Sequence, residues 1–188
     1  MLKDEVNKAF EVLKNGGLIL YPTDTIWGIG CDATNAEAVD KIFKLKGRAE
    51  EKSLIVLLET GNKLQSYVNE VPEIAYDLIE YAESPLTIIY SGAKNLASNA
   101  IAKDGSIGIR IVKHAFCEQL LHRFRKPLIS TSANLSGQPA PANFNDISEE
   151  IIHGVDYVVG WKQDDLSQKK PSTIMKLEPG GRFEFIRL

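Results

Sequence analysis

The spacing of apolar side chains predicts short strands joined by amphipathic helices. From residue 2 to residue 13 the apolar positions recur at helical spacing, and Gly16-Gly17 ends that helix before an apolar strand at 18–21. Helical spacing also predicts a helix ending at Lys46, one after Pro72, and helices at 114–124 and 146–152. Short apolar runs predict strands at 54–58, 86–90, 107–111, 127–129 and 157–159, and a C-terminal hairpin of 172–177 and 183–187.

Two of these strands indicate how the sheet is covered. The run 54–58 is continuously apolar, as in a strand buried on both faces. The isoleucines at 107, 109 and 111 alternate, which predicts a half-buried strand with Arg110 on the opposite face. Strands and helices alternate without strict βαβ regularity, so we expect an α/β fold with a twisted mixed sheet and helices packed on it. With 188 residues, the chain fits one domain, residues 1–188.

Composition excludes several classes of protein. The net charge of −3 argues against a surface built to hold nucleic-acid backbones. No apolar run reaches the length of a membrane-spanning helix and the N-terminus lacks a signal-peptide core, so a cytoplasmic protein is expected. Cys31 and Cys117 are the only cysteines, which favours free thiols over a disulfide framework or a zinc site.

One stretch carries the layout of a binding site. The strand at 18–21 leads into Pro22-Thr23-Asp24-Thr25, then Gly28 and Gly30, and the following helix ends at Lys46-Gly47-Arg48. Pro22 and the glycines are expected to leave N–H groups facing a ligand, and the cations favour an anionic one. The same residues are also ordinary in turns and at helix ends. Thr34 with Glu37 three residues later predicts a capping box at the start of the helix.

A second polar loop follows the strand at 127–129. It comprises residues 130–137, which we call the serine loop: Ser130-Thr131-Ser132-Ala133-Asn134-Leu135-Ser136-Gly137. In open α/β sheets, ligands bind where strand ends meet such loops. The two stretches therefore predict one shared site.

These motifs resemble those of one known family. The tract Tyr21-Pro22-Thr23-Asp24-Thr25, the Lys46-Gly47-Arg48 tripeptide, Gly108-Ile109-Arg110 and the serine loop occur in the order found in YrdC-like L-threonylcarbamoyl-adenylate synthases. The resemblance covers nearly the whole chain. It implies an open YrdC-like α/β fold with a large concave groove, in its short, single-domain form.

The resemblance implies an enzyme, a nucleotidyltransferase. Members join L-threonine, bicarbonate and ATP into L-threonylcarbamoyl-AMP and pyrophosphate, with Mg²⁺ accompanying the nucleotide. The product would pass to a separate transferase complex that installs threonylcarbamoyladenosine in tRNA, and a weak direct contact of this chain with tRNA is left open. No resident metal site is expected.

The resemblance also nominates the site residues. Lys46 and Arg48 would be catalytic, since cations stabilise the charge of a transferring phosphate group. The ATP-binding positions are Lys46, Arg48, Lys52, Ser106, Ser132, Asn134 and Arg187. The threonine-binding positions are Thr25, Arg110 and Ser130. Each of these three has a structural alternative: a turn residue, a cation paired with a surface acid, and a loop cap.

Three departures from the family pattern restrict this transfer of roles. A histidine that many relatives carry near the threonine corresponds to Leu57, and a position that is often hydroxylated corresponds to Ala140. The usual Pro-Gly-Pro-x-Thr turn is reduced to Ser84-Pro85-Leu86-Thr87.

Other chemistries are less well supported by the residues. His114, Glu118 and His122 are spaced four apart and could face one metal, but a solvated helix face is the preferred interpretation. No P-loop, Rossmann fingerprint or nucleophile elbow is present. Two alternatives stay open: a carbamoyl-adenylate transferase, as in the related domain of hydrogenase-maturation proteins, and an RNA-binding or ribosome-associated protein without enzymatic activity.

Overall fold

The computed structural model describes residues 1–47, 54–167 and 169–188. Its strands are β1 (Ile19–Tyr21), β2 (Gly28–Gly30), β3 (Ile55–Leu58), β4 (Leu86–Tyr90), β5 (Ile107–Ile111), β6 (Leu128–Ser132), β7 (Tyr157–Val158), β8 (Thr173–Leu177) and β9 (Phe183–Arg187). Its helices are α1 (Leu2–Lys14), α2 (Ala36–Lys46), α3 (Leu64–Tyr67), α4 (Ile74–Glu80), α5 (Ala115–Phe124) and α6 (Glu149–Gly154). In these ranges no helix is long and apolar enough to cross a membrane.

The described strands form one nine-stranded sheet in the order β7-β1-β2-β6-β3-β5-β4-β8-β9. The pairs β1–β7, β3–β5 and β4–β8 are parallel, and all other neighbours are antiparallel. This mixed, open sheet with helices on it confirms the predicted fold class and the C-terminal hairpin.

Two apolar clusters cover the sheet, because successive side chains of a strand point to opposite faces. Leu20 joins the larger cluster, which contains the buried side of α2. Ile19 and Tyr21 join a smaller cluster with the buried sides of α1 and α5, and this cluster reaches only as far as Leu57 of β3 and Leu128 of β6. The rest of that face is free to form a groove. Cys31 and Cys117 are buried free thiols, as predicted, and burial raises the pKa of both.

Helix α2 begins one residue later than the predicted capping box requires. Asn35 is the N-cap residue, and its side chain accepts a hydrogen bond from the N–H of Ala38 at 3.2 Å. Thr34 is engaged elsewhere, because its N–H and its hydroxyl both donate to Asp32 Oδ1, at 2.8 and 2.7 Å. The predicted capping box at Thr34 is therefore wrong, although the helix itself is confirmed.

The glycines of β2 have a steric role in the packing of the sheet. Both lie inside a strand that is paired with β1 and β6. A Cβ added to Gly30 would lie 2.6 Å from Cε1 of Tyr21 and 2.7 Å from the carbonyl oxygen of Ile129. A Cβ on Gly28 would lie 3.0 Å from Oγ of Ser130. Glycine lets these strands approach closely beside the groove.

Candidate functional site

A cavity of about 270 Å³ lies on the sheet face that α1 and α5 leave uncovered. Residues of β2, β3, β4, β5, β6, β8 and β9 contribute to its walls. The loop between β1 and β2 closes one side through Thr25, Ile26 and Trp27. The cavity thus spans most of the sheet, as expected of the predicted groove.

Strand register places the cavity side chains in two rows across the sheet. In the first row, Ser130 of β6 is opposite Ile55 of β3, and Ile55 is opposite Gly108 of β5. In the second row, Arg110 of β5 is opposite Thr87 of β4. Residues two apart on a strand share a face, so both rows point into the same space.

The second row continues to a second arginine. Thr87 is opposite Ile174 of β8, and Ile174 is opposite Arg187 of β9. Both arginines therefore line the cavity although they lie far apart in the sequence. Arg110 is only 4% exposed, so the prediction that β5 is half-buried is wrong: the face opposite the isoleucines forms part of the cavity wall.

Arg110 is paired with a buried carboxylate. Its Nη2 lies 3.2 Å from Oδ1 of Asp24, whose side chain is 8% exposed. The alternative of pairing with a surface acid is therefore wrong. Arg110 Nε is buried and has no hydrogen-bond partner among the described residues. Because Arg110 lines the cavity, a ligand carboxylate could accept hydrogen bonds from other N–H groups of its guanidinium, which is suited to binding carboxylates.

Arg187 is held by backbone. Its Nε and Nη2 donate to the carbonyl oxygen of Ser172, at 3.0 and 2.7 Å. Burial and the positive charge of nearby Arg110 lower the pKa of Arg187. Two guanidinium groups that repel each other across one cavity favour an anionic ligand between them.

The other two predicted threonine-binding residues lie in the same cavity. Thr25 is contributed by the β1–β2 loop and Ser130 by β6, and both side chains are buried. The structure therefore brings Thr25, Arg110 and Ser130 together. Ser132 also lines this cavity, so the predicted ATP-binding residues Ser132 and Arg187 are at the same site.

Lys46 and Asn134 support the serine loop and do not line the cavity. Lys46, 3% exposed, donates from Nζ to the carbonyl oxygens of Ser132 and Asn134, at 2.5 and 2.6 Å. Asn134 donates from Nδ2 to the carbonyl oxygens of Leu135 and Gln138, each at 2.8 Å. The bonds of Lys46 fasten the C-terminal end of α2 to the end of β6 and to the loop that follows it, and the bonds of Asn134 fix the path of that loop.

The remaining predicted ATP-binding residues are not brought to the cavity. Ser106 directly precedes β5 and does not line the cavity, and its hydroxyl donates to Asp104 Oδ1 at 2.6 Å. Arg48 and Lys52 lie outside the described residues.

Some polar residues in or next to the cavity had no role assigned from the sequence. Ser172 and Thr87 line the cavity, and their hydroxyls lie 2.8 Å apart. Thr87 was detectable as a polar position inside an apolar strand, whereas nothing in the sequence marked Ser172. Asp24 was part of the opening motif but had no assigned role, because its partner Arg110 is distant in the chain.

The two positions that depart from the family pattern differ in their surroundings. Ala140 lines the cavity. Leu57 does not, and is fully buried in the cluster beneath α1 and α5.

The predicted solvated face of α5 holds for Glu118 and His122, which are exposed. It is wrong for His114, which precedes the helix as its N-cap and packs against Trp161 with ring centroids 5.3 Å apart. Burial lowers the pKa of His114 to about 4. Within 1–47, 54–167 and 169–188, no group of three or more His, Cys, Asp or Glu side chains could hold a metal ion.

Comparison with known proteins gives consistent matches. Residues 11–188 match the sequence model of the Sua5/YciO/YrdC family, described as telomere recombination. The chain is 32% identical over 169 residues to the threonylcarbamoyl-AMP synthase of Pseudoalteromonas translucida, covering 88% of this chain and 89% of the relative. It is 32% identical over 181 residues to the enzyme of the same name from an Enterobacter species, covering 95% and 94%.

Solved structures show the same fold. Escherichia coli YciO superposes with a TM-score of 0.84 at 22% identity, covering 100% of this chain and 89% of that one. Pyrococcus abyssi Sua5 complexed with L-threonine superposes with a TM-score of 0.82 at 24% identity, covering 92% of this chain and 50% of that one. The chain thus spans about half the length of Sua5.

Proposed function

The chain belongs to the Sua5/YciO/YrdC family, and from this premise we propose that it is a threonylcarbamoyl-AMP synthase. The reaction would form L-threonylcarbamoyl-AMP and pyrophosphate from L-threonine, bicarbonate and ATP. The structural observation that carries the proposal is the cavity that Arg110, Arg187, Thr25 and Ser130 share. It offers donors for anionic groups and hydroxyls for a small polar amino acid.

For the amino acid, we assign Arg110 to the carboxylate and Thr25 and Ser130 to the polar groups. The N–H groups of Arg110 that do not face Asp24 are suited to a carboxylate, because charge-assisted hydrogen bonds are short and strong. The complex of Pyrococcus abyssi Sua5 with L-threonine supports L-threonine as the ligand, since Sua5 has the same fold.

The chemistry asks for positioning more than for a strong base. The amine of threonine and bicarbonate give a carbamate and water, and one carbamate oxygen then attacks the α-phosphorus of ATP. The new P–O bond forms as the bond to the β-phosphate oxygen breaks, and pyrophosphate leaves. The nucleophile is already ionised, so cationic groups around the phosphates supply most of the stabilisation.

For ATP, we assign Arg187 and Ser132 within the cavity and retain Lys46, Arg48, Lys52, Ser106 and Asn134 as a hypothesis. The hydrogen bonds of Lys46 and Asn134 support an indirect role for these two, through the path of the serine loop. We further propose that Mg²⁺ arrives bound to ATP, since Mg²⁺ sites in proteins commonly rely on substrate phosphates and water. Transfer of the product to a tRNA-modifying complex is part of the same proposal.

The test is pyrophosphate release from ATP by the purified chain, with L-threonine and bicarbonate omitted in turn. We expect release to require both, and mass spectrometry to identify threonylcarbamoyl-AMP. Arg187→Met should lower kcat/KM for ATP about tenfold or more, because a charged hydrogen-bond donor to the nucleotide is lost. Arg182→Met, an exposed arginine in the same hairpin, is the matched control and should leave it unchanged.

Other results would point elsewhere. ATP turnover that does not need threonine would favour the carbamoyl-adenylate transferase. No turnover by folded protein, together with RNA binding that weakens steeply with salt, would favour the RNA-binding alternative.

A further inference from the structure

Thr23, which does not line the main cavity, makes a complete set of hydrogen bonds next to Thr25. It is 1% exposed, and its hydroxyl donates to the carbonyl oxygen of Ile26 at 2.7 Å. The N–H of Thr25 donates to the same hydroxyl oxygen at 3.1 Å. The two threonine hydroxyl oxygens lie 3.0 Å apart.

These contacts decide which threonine is the donor. A hydroxyl has one proton and two lone pairs. The proton of Thr23 goes to Ile26, so the contact between the two hydroxyls requires the proton of Thr25. Thr23 then uses its proton and both lone pairs, whereas Thr25 has used only its proton.

Thr25 lines the cavity, so it presents lone pairs there and no proton. We propose that Thr23 is a positioning residue that fixes Thr25 as a hydrogen-bond acceptor, so that the ligand group at this point must carry an N–H or O–H. This inference rests on the proposed function: for L-threonine, the group is the hydroxyl or the nitrogen and not the carboxylate.

The cavity has hydrogen-bond donors at one point and an acceptor at another, and this difference selects the orientation of the ligand. Arg110 offers donors and Thr25 offers an acceptor, so a ligand with a carboxylate at one end and donor groups at the other binds in only one direction. The reversed ligand would place a carboxylate oxygen against the lone pairs of Thr25, and a buried contact between two acceptors is unfavourable. Fixing the direction of the amino acid fixes where its nitrogen, and hence the carbamate, will be.

The experiment is a double-mutant cycle of Thr23→Val and Thr25→Val, read as the KM for L-threonine in pyrophosphate release and as L-threonine binding by calorimetry. We expect Thr23→Val to raise the KM and the Kd for threonine about tenfold. The reason is that Thr25 is no longer fixed as an acceptor, so one buried hydrogen bond to the ligand is lost. The KM for ATP should stay within about twofold. Thr23→Ser, which keeps the hydroxyl, should restore threonine binding.

The cycle separates positioning from general packing. If Thr23 acts through Thr25, Thr23→Val should cause no further loss in the Thr25→Val background. Additive losses, or equal changes in the KM values for ATP and threonine, would overturn the inference while leaving the synthase intact. Failure of the wild-type chain to bind threonine would overturn both. If Thr23→Val melts below the assay temperature, Thr23→Cys, with a weak donor and acceptor, takes its place and should give the same pattern.

Discussion

Two buried cations, Arg110 and Lys46, show how differently the two ends of the site are built. Arg110 projects from a central strand, pairs with the carboxylate of Asp24 and lines the cavity. Lys46 lies at the end of a helix and donates to two backbone carbonyl oxygens of the serine loop. The guanidinium group of Arg110 is therefore placed to bind an anionic group of the substrate. The ammonium group of Lys46 instead stabilises the backbone of the serine loop.

The strongest test of this contrast is to remove one member of the ion pair. Arg110→Met should lower the free energy of unfolding by about 3–5 kcal/mol, because it leaves the Asp24 carboxylate buried without its partner. Adding Asp24→Asn should recover about half of the loss or more, since the uncompensated charge is gone. Urea denaturation measures both.

Activity separates the two roles of the pair. The double variant should be stable but unable to use threonine, if Arg110 binds the carboxylate. If Arg110→Met and the double variant lose the same free energy of unfolding, the unpaired charge of Asp24 is not the cause of the loss.

A smaller loss is expected at the other end. Lys46→Met keeps the apolar stem but removes the bonds to the carbonyl oxygens of Ser132 and Asn134, which should cost about 2–3 kcal/mol in urea denaturation. Lys44→Met, an exposed lysine in the same last turn, is the matched control and should change stability by less than about 0.5 kcal/mol. A loss of ATP binding without loss of stability would contradict the supporting role and assign Lys46 directly to the nucleotide.

The smallest expected effect concerns a third basic group, which is half-buried. His114 has neither a carboxylate nor a carbonyl partner on Nε2 among the described residues, and burial lowers its pKa from 6.5 to about 4. It is therefore neutral in both folded and unfolded chains above pH 6.5. As the pH falls towards 4, the unfolded chain binds a proton that the folded one does not, so stability decreases.

This decrease should be on the order of 1–2 kcal/mol after allowance for partial exposure. Comparing urea midpoints at pH 7 and about 4.5 should show a smaller drop for His114→Gln than for wild type, because glutamine does not titrate. His122→Gln, an exposed histidine near the end of α5, should keep the wild-type drop. An unchanged drop in His114→Gln would show that the imidazole is charged in the folded chain.

The sequence predicted the position of Arg110 on its strand but not the full length of the strand that carries Ser130 and Ser132. Alternation along β5 identified Arg110 as facing away from the isoleucines, whereas Ser130 and Ser132, predicted in a loop after a strand at 127–129, lie in β6. Period-two patterns determine which side chains share a face before any contact is known.

Contacts between distant segments left no such pattern. The pairing of Asp24 with Arg110 joins the β1–β2 loop to a strand that is distant in the sequence. The cap at Asn35 was misplaced by one residue because the side chain of Asp32 competes for Thr34. Capping rules applied to the sequence cannot choose between Thr34 and Asn35, because the hydrogen bonds of Asp32 determine which of the two is available as the cap.

A crystal structure of the protein with L-threonine bound would show directly whether the cavity is the amino-acid site. We expect the carboxylate of threonine against Arg110, and a hydroxyl or nitrogen donor within hydrogen-bond distance of the Thr25 hydroxyl. Threonine bound outside this cavity, or inside it with the carboxylate turned towards Thr25, would contradict the assignment of these two residues.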